Sequence, residues 1–282
     1  MSYIPTYEEV RLFIETVRSI SNYNFSDYSI KSFTRRLEKI ISDYKFKNVK
    51  DLIVSIVSDK LFLEKIVKEI TVNTTEFFRD PDVWINLIDL IRAYMYDKEK
   101  VIIWSCGCST GQEVYSVLFL MDLLGFLDKV EIYGTDLNVD VLEIAKKGKY
   151  RISNIMEYKE NFEIVFSKFD SKPKIEDFFD YNSKEAMYIV REKYLFKPIF
   201  TFHDLVKQTN IFGKLFNIIF CRNVLIYFLP SLQNQLFNFF YNQLSEDGFL
   251  VLGKHEGILG EMSMKFKRQG AIYIKKNINN LY

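Results

Sequence analysis

Residues 101–115, Val-Ile-Ile-Trp-Ser-Cys-Gly-Cys-Ser-Thr-Gly-Gln-Glu-Val-Tyr, constrain the fold more than any other stretch of this 282-residue chain. Residues 101–105 form a short run of β-branched and aromatic residues ending in Ser105, and read as a buried strand. Gly107 and Gly111 then bracket small residues, and from 114 to 124 the pattern becomes helical. A strand, a tight glycine turn and a helix start together make a ligand cradle. Gly107 lets the backbone approach a bound group, and the first helical turn offers unpaired N–H donors. A second apolar strand, 130–133, leads into Gly134-Thr135-Asp136. An acid at the end of the second strand is where a doubly wound fold holds a ribose by its hydroxyls. The cradle and Asp136 together point to an adenosine-containing cofactor.

The glycine spacing excludes two common nucleotide loops. G-x-G-x-x-G is absent, and no Gly-Lys-Ser/Thr follows as in a phosphate-binding loop. Glu113, just inside the helix, would repel a pyrophosphate but suits a cofactor with a cationic or amino group. S-adenosylmethionine fits that description. The same residues also suit an ordinary strand-to-helix turn in which Glu113 complements the helix dipole.

The chain is long enough for one α/β domain and a smaller one. A net charge of +1 argues against a general polyanion binder, so no nucleic-acid partner is expected. Cys106, Cys108 and Cys221 are an odd set that suits a reducing compartment better than a disulfide framework. Neither His203 nor His255 stands at a metal-ligand spacing from them, so no metal is expected. The first ten residues are polar and acidic, unlike a signal peptide. No apolar run reaches the roughly 18 residues of a membrane span. A cytoplasmic monomer without membrane insertion is the expectation.

Residues 1–70 read as helical. Thr6 and Glu9 form a capping box ahead of Val10, Phe13, Ile14 and Val17. A helix over 29–44 buries Ile30, Phe33, Leu37, Ile40 and Ile41 and carries Lys31, Arg35, Arg36 and Lys39 on its other face. Those cations suit a solvated face or docking to an acidic protein surface. Further helices are expected over 49–57, 60–70, 82–96 (opened by Pro81) and 139–147, the last closed by Gly148. Residues 150–195 read as a small insertion of strands and helix. Parallel strands follow at 199–202 and 216–220, and the second brings Arg222, Asn223 and Tyr227 to a strand's carboxyl end. A helix over 230–244, a turn at Asp247-Gly248 and strands at 249–252 and 271–275 complete the pattern. The fold class is therefore α/β, with a Rossmann-like sheet. A helical domain is expected over 1–72 and a cofactor-binding domain over 73–282, with the insertion at about 150–198.

Four separated motifs resemble those of the CheR-type chemotaxis receptor methyltransferases. Asn73-Thr-Thr-Glu-Phe-Phe-Arg79 is similar to that family's N-x-T-x-F-F-R signature, and Gly107–Tyr115 to its glycine loop. Thr135-Asp136 resembles its ribose acid, and Phe220-Cys-Arg-Asn-Val-Leu-Ile-Tyr-Phe228 its F-C-R-N-V-x-I-Y-F element. The resemblance implies that the sheet is of the S-adenosylmethionine-dependent methyltransferase kind, that 73–282 is the methyltransferase domain, and that the protein is a glutamate O-methyltransferase that uses S-adenosylmethionine and yields S-adenosylhomocysteine. It implies that Asn73, Thr75, Arg79 and Glu113 hold the methionine end of the cofactor across the Gly107 loop. Asp136 would hold the ribose, with Asp204, Leu205, Arg222 and Asn223 nearby. Tyr227, with Arg79, would sit beside the transferring methyl. The implied partner is the cytoplasmic helical region of a chemoreceptor-like protein, docking on Lys31, Arg35, Arg36 and Lys39.

The chain departs from the family pattern in places. Gln112 stands where a second acid is frequent, and Asp204 where an Asn is common. Gly253-Lys-His-Glu-Gly257 replaces the usual Gly-His-Ser-Glu. The insertion lacks the glycine-rich loop with which some members grip a receptor's C-terminal peptide, so no such tether is expected. Two rivals remain. Gly107-Cys-Ser-Thr-Gly111 is literally G-x-S-x-G, which would make Ser109 a hydrolase nucleophile with His203 or His255 as base. A non-catalytic module that binds S-adenosylmethionine is the other.

Overall fold

In the computed structural model, which describes residues 3–71 and 74–276, the chain opens with α1 (Tyr7–Ile20), α2 (Ile30–Asp43), α3 (Val49–Ser58) and α4 (Lys60–Ile70). The capping box that starts α1 forms as its sequence requires. Glu9 N donates to Thr6 Oγ1 at 3.3 Å, and Thr6 N donates back to the Glu9 carboxylate at 2.9 Å. Val10, Phe13, Ile14 and Val17 of α1 are buried, as are Phe33, Leu37, Ile40 and Ile41 of α2. Their spacing puts each set on one helical face, and the two faces meet at the Phe13–Phe33 ring pair, 6.1 Å between centroids. Ile30, at the first turn of α2, is only half-buried.

A segment from far along the chain folds with these helices. Ser29 N donates to Tyr227 O and Leu229 N to Asp27 O, both at 2.8 Å, and the Tyr28 and Phe228 rings meet edge-on at 4.9 Å. The chain accordingly divides into two compact units, Met1–Val72 with Leu225–Gln235, and Asn73–Val224 with Leu236–Tyr282.

The second unit begins with α5 (Pro81–Met95), β1 (Val101–Cys106), α6 (Gln112–Leu123), β2 (Val130–Asp136) and α7 (Val139–Lys147). An insertion follows, made of β3 (Lys149–Arg151), α8 (Ile152–Glu157), α9 (Lys159–Phe166), β4 (Phe179–Asn182), β5 (Met187–Val190) and α10 (Glu192–Leu195). The main fold resumes with β6 (Pro198–Phe202), β7 (Phe216–Cys221), α11 (Pro230–Gln243), whose residues up to Gln235 belong to the first unit, and β8 (Leu244–Leu252). It ends in α12 (Glu261–Met264), β9 (Phe266–Gln269) and β10 (Ile272–Lys275).

Among the described residues the main sheet has seven strands, in the order β6-β2-β1-β7-β8-β10-β9. Strands β6 to β8 of that order run parallel, while β10 is antiparallel to both of its neighbours. The chain builds outward from β1 to β2 and β6, then crosses back to β7. The order therefore reverses between β1 and β7, and ligands bind in the crevice at the carboxyl ends of such a pair. Helix α6 is buried on every side from Gln112 to Met121, which explains its lack of a polar face.

Two details differ from the pattern read along the sequence. Strand β8 starts at Leu244, and the expected turn at Asp247-Gly248 is a kink within it. Asp247 has φ +63°, and the register against β7 shifts between Phe216 and Ile218. Strand β9 pairs with β10 across Gly270, whose φ is +62°. Only Phe266 of β9 is buried, and the exposed Lys267, Arg268 and Gln269 carry no alternating apolar signal. The insertion forms its own antiparallel sheet, β3-β5-β4. Its Phe162 and Phe179 rings pack on Phe77 at 5.5 and 5.3 Å, so the insertion shares the core of the main sheet.

Candidate functional site

Gly107 leaves β1 with φ +67°, and a Cβ there would lie 2.6 Å from Val224 Cγ2. Gly111 caps α6 with φ +90°, and its Cβ would lie 2.8 Å from that of Ala145. Both positions thus require glycine for conformation and for space. The loop is tied to β2, because Cys108 N donates to Thr135 O at 2.9 Å and Ser109 N to Asp136 Oδ2 at 2.8 Å. Asn138 N donates to the other Asp136 oxygen at 2.9 Å. Burial pushes the Asp136 carboxyl up, and these backbone donors oppose the rise. Each oxygen keeps a lone pair for a further donor such as a ribose hydroxyl.

Glu113, in the first turn of α6, accepts from Ser105 Oγ at 2.8 Å and from Arg222 Nη1 at 3.3 Å. Burial raises its carboxyl above the usual range, and the Arg222 guanidinium counteracts that. Arg222 is the hub. Its Nη2 donates to Asp80 Oδ2 at 3.0 Å and to Arg79 O at 2.7 Å, and its side chain is only 2% exposed. The guanidinium also lies 5.5 Å from the Trp84 ring centroid. These bonds join the ends of β1 and β7 to the 78–80 segment. In that segment Phe78 and Asp80 are left-handed, at φ +49° and +56°. Phe78 N donates to Ser116 Oγ at 3.0 Å and Phe77 O accepts from Asn161 Nδ2 at 3.1 Å, so the buried aromatic pair anchors a strained turn that presents Arg79.

Asp204 lies after β6 and caps a short 3₁₀ turn, its Oδ1 accepting from Val206 N at 3.2 Å, with Leu205 buried beside it. His203 N donates to Asp136 O at 3.0 Å, which holds that turn at the end of β2. Asn223 continues from Arg222 with φ +60°, and its N–H donates to Glu256 Oε2 at 2.8 Å. Thr75 is half-buried ahead of the aromatic pair. Asn73 lies outside the described residues, and Tyr227 belongs to the helical unit. The structure thus gathers Arg79, Gly107, Glu113, Asp136, Asp204, Arg222 and Asn223 at the carboxyl ends of β1, β2, β6 and β7. In the sequence Asp80 stands only as a neighbour that Arg79 could pair with, whereas it completes the ion-pair network with Arg222, and Glu256 has no evident role there. The signal for Glu256 was an acid set between two glycines just past a strand.

The set of acceptors suits an adenosylated amino acid. Two buried carboxylates face a glycine cradle, where a phosphate would be repelled and an ammonium or hydroxyl welcomed. Ser109 Oγ and Arg222 Nε are buried with no hydrogen-bond partner. The same orphaned hydroxyl removes the hydrolase reading, since no histidine base reaches Ser109 and His203 Nε2 is engaged with Thr209 O at 2.9 Å. Cys106, Cys108 and Cys221 are buried free thiols that burial pushes up, which makes them inert as nucleophiles.

Residues 73–274 match the family described as "CheR methyltransferase, SAM binding domain". The chain is 30% identical over 250 residues to the putative methyltransferase Cher3 of Pseudomonas putida, covering 89% of each. It is 27% identical over 278 residues to the chemotaxis protein methyltransferase of Borreliella burgdorferi, covering 93% of this chain and 92% of that one. Chemotaxis protein methyltransferase 1 of Vibrio cholerae is 27% identical over 265 residues, covering 90% of each. On the strength of that match and of the cradle it spans, this chain belongs to the CheR methyltransferase family, the S-adenosylmethionine-dependent enzymes.

Proposed function

We propose that the protein methylates glutamate side-chain carboxylates of a chemoreceptor-like protein, forming glutamyl methyl esters. The observation that carries this reading is the arrangement of Glu113, Asp136 and Arg222 at the strand ends, in a chain whose relatives are named chemotaxis protein methyltransferases. In this reading Asn73, Thr75, Arg79 and Glu113 hold the methionine end of the cofactor, and Asp136 holds the ribose. Asp204, Leu205, Arg222 and Asn223 line the adenosine end.

Bound there, S-adenosylmethionine supplies an electrophilic methyl on a sulfonium sulfur. A glutamate carboxylate, with an ordinary pKa of about 4.3, is already ionised at neutral pH, so the protein needs no general base. With that group bound, a carboxylate oxygen would take the methyl, the new C–O bond replacing the C–S bond, whose electron pair would stay on sulfur. The protein contributes alignment of oxygen, methyl and sulfur, and removal of water from the anionic nucleophile. Arg79 orients the carboxylate through its donor fork, and the family resemblance assigns Tyr227 one hydroxyl bond to it.

The substrate docks on α2, where Lys31, Arg35 and Lys39 are exposed at four-residue spacing with Arg36 half-buried beside them. No helix among the described residues is long and apolar enough to cross a membrane. The buried free thiols favour a reducing, cytoplasmic setting.

The test is incubation with methyl-labelled S-adenosylmethionine and a chemoreceptor cytoplasmic domain. Label released as methanol by mild base identifies a carboxyl ester. Arg79→Ala and Tyr227→Phe are expected to lose transfer by at least about tenfold, and unaltered turnover in both removes them from the mechanism. Cofactor binding with no transfer to any acceptor favours the non-catalytic module instead.

A further inference from the structure

Beyond the residues already assigned, one buried carboxylate is set against the backbone of the site. Glu256 is 8% exposed and closes the turn after β8, with its own N–H donating to Gly253 O at 3.0 Å. Its Oε2 accepts from Gly253 N at 2.7 Å and from Asn223 N at 2.8 Å. One oxygen therefore ties the loop leaving β8 to the loop leaving β7, two strands paired in register at Cys221 and Leu252.

The packing there has no slack. A Cβ on Gly253 would lie 2.7 Å from Glu256 Oε2, 2.9 Å from Asn223 N and 3.0 Å from Asn223 Nδ2. Asn223 is left-handed, a conformation that Asn adopts more readily than other residues with a Cβ but that its surroundings must still select. Its N–H is turned inward to the carboxylate. Immediately before it, Arg222 makes the contacts to Glu113, Asp80 and Arg79 O that assemble the site.

We propose that Glu256 is a positioning residue for the cofactor site: its carboxylate locks Asn223 in the left-handed turn and so aims Arg222 and Asn223. The inference rests on the cofactor-site assignment above. A rival role is purely electrostatic, because the Glu256 charge also raises the Glu113 carboxyl. Two substitutions separate these. Glu256→Gln keeps an amide oxygen that can accept from both N–H groups but carries no charge, whereas Glu256→Ala leaves the buried Gly253 N–H and the half-buried Asn223 N–H unpaired.

Binding of S-adenosylhomocysteine to the full chain is measured by calorimetry, and KM and kcat by methyl transfer. Glu256→Ala is expected to weaken binding and raise KM for S-adenosylmethionine by about tenfold or more, with kcat at saturation within about twofold. Glu256→Gln is expected to recover affinity to within about threefold of wild type. Should Glu256→Ala not fold by circular dichroism, Gly253→Ala provides the second arm. It crowds the carboxylate off Asn223 N without removing it, and about tenfold weaker binding is expected. A Gln variant as poor as the Ala variant overturns the proposal in favour of charge. Wild-type affinity in both Glu256→Ala and Gly253→Ala overturns it alone. A wild type that binds no S-adenosylhomocysteine overturns the site assignment and this inference with it.

Discussion

Glu113 concentrates the chemistry of the site in one side chain. It is buried, it faces Arg222, Ser105, Glu256 and the thiols of Cys106, Cys108 and Cys221, and its carboxyl is raised chiefly by desolvation. The ionised form is the one that accepts from an ammonium group. Cofactor affinity should therefore fall as pH drops through that raised pKa, at up to about tenfold per pH unit for one proton. Calorimetry with S-adenosylhomocysteine across the mildly acidic range checks this, and Glu113→Gln should weaken binding and flatten that arm. The stability term has the opposite sign. A carboxyl with a raised folded pKa holds its proton more tightly than the unfolded chain does. Its contribution to the cofactor-free protein is therefore lost as pH rises from the usual carboxylate value through the raised one. Gly107, Glu113 and Asp136 were legible in the sequence because a strand, turn and helix in that order set each of them in place. Asp80 and Glu256 were not, because their meaning lies in partners 142 and 33 residues away.

Among the elements, α2 illustrates what periodicity reveals. Its apolar stripe is buried where the 3.6-residue repeat requires, and that leaves Lys31, Arg35 and Lys39 together on the exposed side. If α2 meets an acidic receptor surface, reversing Lys31, Arg35 and Lys39 to Glu should raise KM for the receptor by about tenfold or more and weaken its salt dependence. The affinity for S-adenosylhomocysteine should stay within about twofold, since those charges are exposed in the helical unit. Receptor methylation at two ionic strengths, with calorimetry on the same samples, measures both. Unchanged KM removes α2 from docking. Strand β9 and the start of β8 escaped the sequence because one has a polar, exposed edge and the other a kink at Asp247 that reads as a turn.

For the whole molecule, occupancy of the cofactor site should appear as stability, because a ligand that binds only the folded chain adds free energy by mass action. At 100 times its dissociation constant, S-adenosylhomocysteine should stabilise by about 2.7 kcal/mol. In a chain of this size that corresponds to a rise in Tm of roughly 4–5 °C, read by differential scanning calorimetry. No shift at that occupancy would mean that the ligand does not distinguish folded from unfolded protein. The sequence by itself determined the alternation of strands and helices, the glycine cradle with its two acids, and the helical N-terminal region, since each depends on neighbours within one or two turns of chain. Only the tertiary structure decided that Leu225–Gln235 folds with the N-terminal helices, and that Arg222 draws Glu113 and Asp80 together. It also decided that a single oxygen of Glu256 serves two loops. Those contacts join distant segments, and close packing with full pairing of buried polar groups selects them rather than any local preference.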